Sequence, residues 1–339
     1  MLRVFDFTSS VPSIPPRVGS ERPRFSVMVP TFNPDAKLLA TLQSALAAGM
    51  APESMQIAVI DDGSRPGLAR ELVSSIDATG RIELLEFPNR LGLAGNWNRA
   101  IGLARGELVH LLHQDDYVMP GFYTAIDRGF HAVPEAGMAF CRTRIVDGDN
   151  RTIKTSSRLR WLPGVLPNWL PRIAERQRIQ TPAAVVRRAV YERLGGFRPD
   201  LHQALDWEMW VRIAAQHPVW YEPQSLAAYR RHPHNESSRL AATGALWPDI
   251  LHAIEINAAA LPDDQRTRMI QASARWHAAS VCRDAERLLA RSEIHQAAAA
   301  LEHVPALLRL GGATAPASPV VSRLATLRTR IIHAGRRAA

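Results

Sequence analysis

The sequence predicts an α/β fold: a mostly parallel sheet flanked by helices, followed by a C-terminal helical extension. Short apolar runs alternate with stretches of helical spacing from Phe25 to Leu112, as expected of successive strand and helix units. The polar clusters PTFN, DDGS and HQDD each follow an apolar run, and turns of that kind line the carboxyl edge of a parallel sheet, where ligands bind. From about residue 241 the composition shifts to Ala, Leu and Arg with helical periodicity.

The elements follow in order. Residues 1–24, rich in Ser and Pro from position 8, read as a flexible tail. Phe25–Val29 is a first strand. Residues 35–48 are a helix, with Leu38, Leu42, Ala45 and Leu46 at helical spacing. Residues 56–60 are a second strand, 67–76 a helix, 81–87 a strand, 91–104 a helix and 107–112 a fourth strand. Gly92, Gly95 and Gly102 are expected to let the 91–104 helix approach the sheet closely. Beyond residue 135 the pattern weakens: GMAFCRTRIV reads as one or two strands, 206–216 as a helix, and PVWYEP and SLAAYRR as two short strands. This gives a main domain over 25–240 and a helical extension with a basic tail over 241–339.

The 339 residues suffice for one large core plus an appendage, and 46% hydrophobic with 22% charged residues fits a folded globular chain. The formal net charge of +9 favours anionic partners. Two cysteines, Cys141 and Cys282, with no CxxC pair, exclude a disulfide scaffold or zinc ribbon and fit a reducing compartment. No apolar run reaches the roughly 18 residues of a membrane span, and no signal peptide is evident, so a cytoplasmic location is expected. GxxxxGK[ST], HExxH and GxSxG are absent, as is GxGxxG after the first strand. No aromatic and basic RNA-binding motif appears, so no specific nucleic-acid partner is expected.

The acidic pairs carry the chemistry. Asp115 and Asp116 end a strand, where neighbouring carboxylates either build a turn or hold a hard cation such as Mg²⁺ or Mn²⁺. His113 reads as a turn residue, with a third polar contact as the alternative. Asp61 and Asp62 precede Gly63, which suits a turn, but a carboxylate facing the same edge can also accept from a base N–H. Asn96, Asn98 and Arg99 lie at a helix start or on one of its faces. Asp206 fits an N-cap, with Leu205 and Trp210 at staple positions, and a cap at a cleft edge can also act as a general base; Glu208 is the rival base. His232 and His234, beside Arg230 and Arg231, are candidate metal or phosphate contacts.

Together these residues resemble the family 2 glycosyltransferases, through VMVPTFNP, VIDDGS, NRLGLAGNWNRAIGLARGELVHLLHQDD, LDWEMWVRIA and YRRH in order. The resemblance covers about residues 25–235. It implies a GT-A-type, Rossmann-like fold and an inverting transfer from a nucleotide-diphosphate sugar, UDP or dTDP favoured. Pro30, Thr31 and Asn33 would line the nucleotide pocket, Asp62 would bind the base with Asp61 beside it, and Asn98 and Arg99 would lie near the donor. Asp115 would reach ribose or metal, Asp116 would ligate Mn²⁺ or Mg²⁺, Asp206 would be the general base, and His232 a late metal contact. The chain departs from the family in having Leu205–Asp206 where Glu-Asp is usual, and Gln114-Asp115-Asp116 at the Asp-x-Asp position.

On the acceptor side the resemblance implies a glycan or lipid-linked saccharide. Residues 151–178 carry seven Lys or Arg against one Glu, with Trp161 and Trp169, and either meet such an acceptor or form a solvated loop. Residues 303–339 hold six arginines and no acidic residue. There Val320, Leu324, Leu327 and Ile331 share a helical face that could rest on an anionic membrane at its inner side, or pack on the protein. The alternatives in function are a nucleotidyltransferase, which would want a Gly- and Arg/Lys-rich phosphate loop after the first strand, and a non-catalytic sugar-nucleotide or glycan-binding module, which would lack the base.

Overall fold

The computed structural model describes residues 11–17, 19, 22–47, 50–232, 246–312 and 318–338. His234 and the expected boundary at residue 240 lie outside them. Two compact units emerge: Met1–Pro167 with Arg178–Asp200 and Gln216–His232, and Asn168–Gln177 with Leu201–Ala215 and Pro233–Ala339.

The first unit is built on a ten-stranded sheet. Its first half is β1 (Phe25–Thr31), β2 (Met55–Asp62), β3 (Glu83–Phe87) and β4 (Leu108–Leu111), with helices α1 (Lys37–Leu46), α2 (Leu68–Ser74) and α3 (Gly92–Leu103) between them. Strand order 3-2-1-4 is parallel throughout. The chain therefore winds one way from β1 through β2 to β3 and returns on the other side of β1. That reversal makes the β1/β4 boundary the switch point at which open α/β sheets hold ligands. Pairing of β1 with β4 stops at Met28↔Leu111, while pairing with β2 runs on to Thr31↔Asp61. Pro30 is tolerated in this central strand for that reason: the ladder on one side has already ended where its N–H is missing.

The second half adds β5 (Tyr117–Val118), α4 (Phe122–Ala132), β6 (Met138–Val146), β7 (Thr152–Thr155), β8 (Gly164–Val165), β9 (Ala184–Arg187), α6 (Arg188–Leu194) and β10 (Val219–Arg230). β9 runs antiparallel between β4 and β6, and β10 is parallel to β6. GMAFCRTRIV is one strand, and the two short strands expected near the end of this domain are one, β10, with register shifts around Pro223 and Gln224. Apolar side chains from both halves, among them Phe25, Val59, Leu108, Ile126 and Ala227, form its core.

Gly92 and Gly102 have open space where a Cβ would stand, and at Gly95 the obstacle is Leu91, the N-cap residue of its own helix. The close approach to the sheet is instead at Gly106, where a Cβ would come within 2.5 Å of the Ser26 nitrogen. Residues 11–17, expected as tail, are fixed. Ile14 is buried, Gly196 N–H donates to Pro12 O at 2.8 Å, and the buried Arg188 guanidinium donates to Pro15 O at 3.1 Å and pairs with Glu192 at 2.9 Å.

The second unit is helical: α5 (Trp169–Glu175), α7 (Leu205–Ala214), α8 (Leu246–Ala259), α9 (Asp263–Ala290), α10 (Ile294–Leu301), α11 (Val304–Leu310) and α12 (Pro319–Ala338). α9 packs against α5, α8, α10, α11 and α12. Leu324 and Leu327 of α12 are buried, so the apolar face read as a possible membrane contact is used within this unit. Among the described residues no helix is long and apolar enough to cross a membrane.

Candidate active site at the switch point

Three strand exits interlock at the carboxyl edge. The Gln114 carboxamide accepts from Phe32 N–H at 2.9 Å and donates to Phe32 O at 3.2 Å, tying the exit of β4 to that of β1. The residue that departs from the family's Asp-x-Asp pattern is thus a backbone clamp. Asn33, at φ 45°, donates its N–H to Ser64 Oγ at 2.7 Å, and its Oδ1 accepts from Arg65 N–H at 3.0 Å, tying β1 to the turn after β2. Thr31 is buried and donates its hydroxyl to Val29 O at 3.0 Å.

The first acidic pair is absorbed by the chain. Asp61 accepts from Ser64 N–H at 3.0 Å and from the Ser64 hydroxyl. Asp62 is buried and accepts from Leu91 N–H at 2.9 Å and Gly92 N–H at 2.8 Å, at the start of α3, where a carboxylate also meets the positive end of the helix. Arg99 Nη1 donates to the same carboxylate at 3.1 Å, and its guanidinium lies 4.1 Å from the Phe87 ring centre. Asn98 clamps Phe197, accepting from its N–H at 2.7 Å and donating to its carbonyl at 2.8 Å.

The second pair is treated differently. Asp116 is completely buried; its Oδ1 accepts from Arg230 N–H at 2.8 Å, and its Oδ2 has no hydrogen bond among the described residues. His113 Nδ1 lies 3.5 Å from that oxygen. Burial first, and then the Asp115 charge, push the Asp116 carboxyl up to about 6. Asp115 remains partly open, with Oδ2 2.9 Å from His232 Nε2. The Arg230 guanidinium bonds Asp115 O and, at 2.8 Å, Asn150 Oδ1.

Ligand atoms of His113, Asp115 and Asp116 all lie within 4.8 Å of one another. A buried carboxylate oxygen whose near donor, His113 Nδ1, stands 3.5 Å away, a second carboxylate and that imidazole fit a divalent cation. His113, read first as a turn residue, belongs to this cluster, while His232 touches it through Asp115. The Gln114-Asp115-Asp116 departure and the basic YRRH segment are the available sequence signals for Gln114 and Arg230; nothing local marks their tertiary roles.

Asp206 belongs to the second unit, on the first turn of α7, with its Oδ1 accepting from Trp207 N–H at 2.7 Å. It is not the N-cap. The N-cap position is Ala204, and Asp249, from α8, accepts from the backbone N–H groups of His202, Gln203 and Ala204 at 2.7–2.8 Å, fixing the turn that leads into the helix. Glu208 is buried and paired with Arg212 at 2.8 Å, which accounts for the rival carboxylate as a structural ion pair. Of the two tryptophans in the basic stretch, Trp169 is buried in the second unit, whereas Trp161, in the first, is 80% exposed.

Comparison with known proteins matches this architecture. The family model described as glycosyl transferase family 2 fits residues 26–195. An uncharacterized protein of Mycobacterium tuberculosis, MT1568, is 31% identical over 246 residues, covering 69% of this chain and 74% of the relative. The succinoglycan biosynthesis protein ExoU of Rhizobium meliloti is 35% identical over 82 residues, 24% of each chain. Among solved structures, S. aureus TarS 1-349 in complex with UDP-GlcNAc superposes with a TM-score of 0.63 at 16% identity, over 92% of this chain and 89% of that one. The mannosyltransferase PcManGT of Pyrobaculum calidifontis, in complex with GDP-Man and Mn2+, gives 0.53 at 20% identity, over 97% and 89%.

Proposed function

The chain belongs to glycosyl transferase family 2 and is a nucleotide-sugar-dependent glycosyltransferase; we propose that its donor is a UDP or dTDP sugar and that transfer to a glycan or lipid-linked hydroxyl inverts the anomeric carbon. The observation that carries this reading is Asp116 Oδ2, a buried carboxylate oxygen without a hydrogen bond among the described residues, beside Asp115 and His113 at the switch point.

Pro30, Thr31 and Asn33 line the nucleotide pocket in this reading, with the base against the DDGS turn. For Asp61 to accept a base N–H it would share or give up its Ser64 hydroxyl. Asp62, Arg99 and Asn98 would act by holding the turn and α3 in place, since their polar groups already bond the chain. Asp116, Asp115 and His113 would hold Mn²⁺ or Mg²⁺, with His232 steadying Asp115. Bound there, the cation would supply Lewis-acid neutralisation of charge on the diphosphate leaving group. Asp206 takes the proton of the acceptor hydroxyl, whose oxygen bonds to the anomeric carbon from the face opposite the diphosphate. The bond to the diphosphate breaks, and its electron pair leaves with that group.

A cytoplasmic location is part of this proposal. Contact with the inner face of an anionic membrane would rest on exposed arginines such as Arg328 and Arg330, because the apolar side of α12 is occupied.

Calorimetric titration of UDP, dTDP and GDP, each with and without Mn²⁺, into wild type and Asp116→Ala tests the donor site. One nucleotide should bind tightly, and only with both metal and Asp116 present. Folded wild type that binds none of them would end the donor assignment. With the donor site established, Asp206→Asn should keep nucleotide affinity and lose about 10²–10⁴-fold in turnover; lost affinity instead would make Asp206 a binding residue, and retained turnover would remove it as the base.

A further inference from the structure

A second concave site lies within the first unit. Its cavity of about 600 Å³ is lined by Arg142, Arg144, Arg158, Trp161, Glu222 and the Pro223–Leu226 segment of β10. That volume falls in the range of small-ligand pockets. Three arginines and one carboxylate share the lining, and the carboxylate is buried, with Glu222 Oε1 accepting from Gln224 N–H at 3.0 Å. Arg144 and Arg158 make no ion pair among the described residues. Arg158 lies 4.4 Å from the Trp161 ring centre, and Trp161 is 80% exposed.

The walls are fixed. Leu159 N–H donates to the Tyr221 hydroxyl at 3.1 Å, and Arg160 donates to Val165 O at 2.7 Å. Arg142 Nε donates to Ser156 O at 3.0 Å, and Ser156 N–H donates to Thr143 O at 2.9 Å. The register shifts of β10 at Pro223 and Gln224 form the opposite wall. An indole held open to water on an anchored loop contributes nothing to the core, and keeping it there incurs the cost of exposed apolar area.

We propose that this groove binds a phosphate-bearing saccharide and serves as the acceptor site, a reading that rests on the glycosyltransferase assignment. The Trp161 ring offers a flat apolar face to a sugar ring. Arg144 and Arg158 offer forked donors that match phosphate oxygens, and Arg142 adds charge beside them. The arginines beside Trp161 favour a phosphorylated saccharide; Trp161 and the 70% exposed Leu162 could also dip into a bilayer, and the vesicle probe separates the two. The phosphate can belong to a lipid-linked diphosphate saccharide or to a soluble phosphorylated glycan.

The test is NMR saturation transfer and calorimetry on the full chain, with and without UDP and Mn²⁺. The probes are glucose 1-phosphate, methyl glucoside, inorganic phosphate, an alkyl diphosphate glucoside and phosphatidylglycerol vesicles. Wild type should prefer glucose 1-phosphate over both methyl glucoside and inorganic phosphate, with UDP present as well as absent. Trp161→Ala and the double variant Arg144→Gln/Arg158→Gln should each weaken it about tenfold or more while UDP binding is unchanged. These exposed positions can be replaced without threatening the fold, which circular dichroism checks. A further gain for the alkyl diphosphate would assign the lipid-linked source, and equal affinity the soluble one. No glucose 1-phosphate binding beside intact UDP binding would overturn the groove and spare the transferase. Equal response to phosphate alone, indifference to the variants, or Trp161-dependent vesicle binding without sugar phosphate binding would also overturn it. Glucose 1-phosphate bound at the groove by a chain that binds no nucleotide would keep the site and remove its acceptor role.

Discussion

Asp61–Asp62 and Asp115–Asp116 both leave parallel strands at the same sheet edge, yet their carboxylates have different surroundings. The first pair is surrounded by donors: Ser64 for Asp61, and Leu91, Gly92 and Arg99 for Asp62. The second pair includes a completely buried oxygen, Asp116 Oδ2, with no hydrogen bond among the described residues and His113 Nδ1 3.5 Å away. A buried carboxylate that meets several donors strengthens the fold, whereas one left short of donors weakens it and is ready for an external cation. The dipeptide is the same; what differs is the tertiary supply of N–H groups.

The largest expected effect comes from breaking the satisfied pair. Asp62→Ala strips the cap from α3 and leaves Arg99 without its carboxylate. Loss of a cap and of a partly buried ion pair should destabilise the protein by about 3 kcal/mol, read as a lower denaturation midpoint with or without metal. A change below about 0.5 kcal/mol would mean that water replaces the carboxylate and that the contrast between the pairs is false.

Asp116→Asn should move stability the other way. The folded carboxyl titrates at about 6, above its ordinary 3.8. Ionising it therefore costs the folded state nothing below about pH 4, and the cost grows as pH rises through about 6, reaching about 3 kcal/mol. In chelator at neutral pH the amide should gain about 2 kcal/mol over wild type, with the gain vanishing below about pH 4. Mn²⁺ at about 100 times its dissociation constant should return about 2.7 kcal/mol to wild type and nothing to the variant. A variant less stable than metal-free wild type at neutral pH would show that Asp116 is satisfied after all.

The same contrast explains what was legible in the chain. The β1-to-β4 alternation and the polar exits are local patterns, so the parallel half-sheet and its binding edge follow from spacing alone. β9 was missed because a short apolar run inserted antiparallel between distant strands has no local partner. β10 was split in two because Pro223 interrupts its pattern, although the ladder resumes beyond a register shift. Asp206 fits an N-cap by spacing, but the helix begins one residue earlier, with Ala204 at that position, and the turn before it is held by Asp249 of another helix, which no spacing rule reaches. Gln114 and Arg230 organise the acidic edge through contacts across the sheet, which sequence spacing does not encode.

The smallest effect falls on His232. The sequence makes it a metal contact; in the proposed site His113, Asp115 and Asp116 form the cluster and His232 bonds Asp115 Oδ2 at 2.9 Å. A residue that orients a ligand modulates affinity without abolishing it. His232→Gln keeps a donor in reach of Asp115, so stability should change by less than about 1 kcal/mol and Mn²⁺ affinity by about tenfold, the lower end for a supporting contact. His113→Gln, by contrast, should cost more, since it removes an imidazole from the cluster itself. If calorimetry finds His232→Gln as damaging to Mn²⁺ binding as Asp116→Ala, His232 is itself a ligand, and the edge holds its cation from the β10 side as well as from the β4 turn.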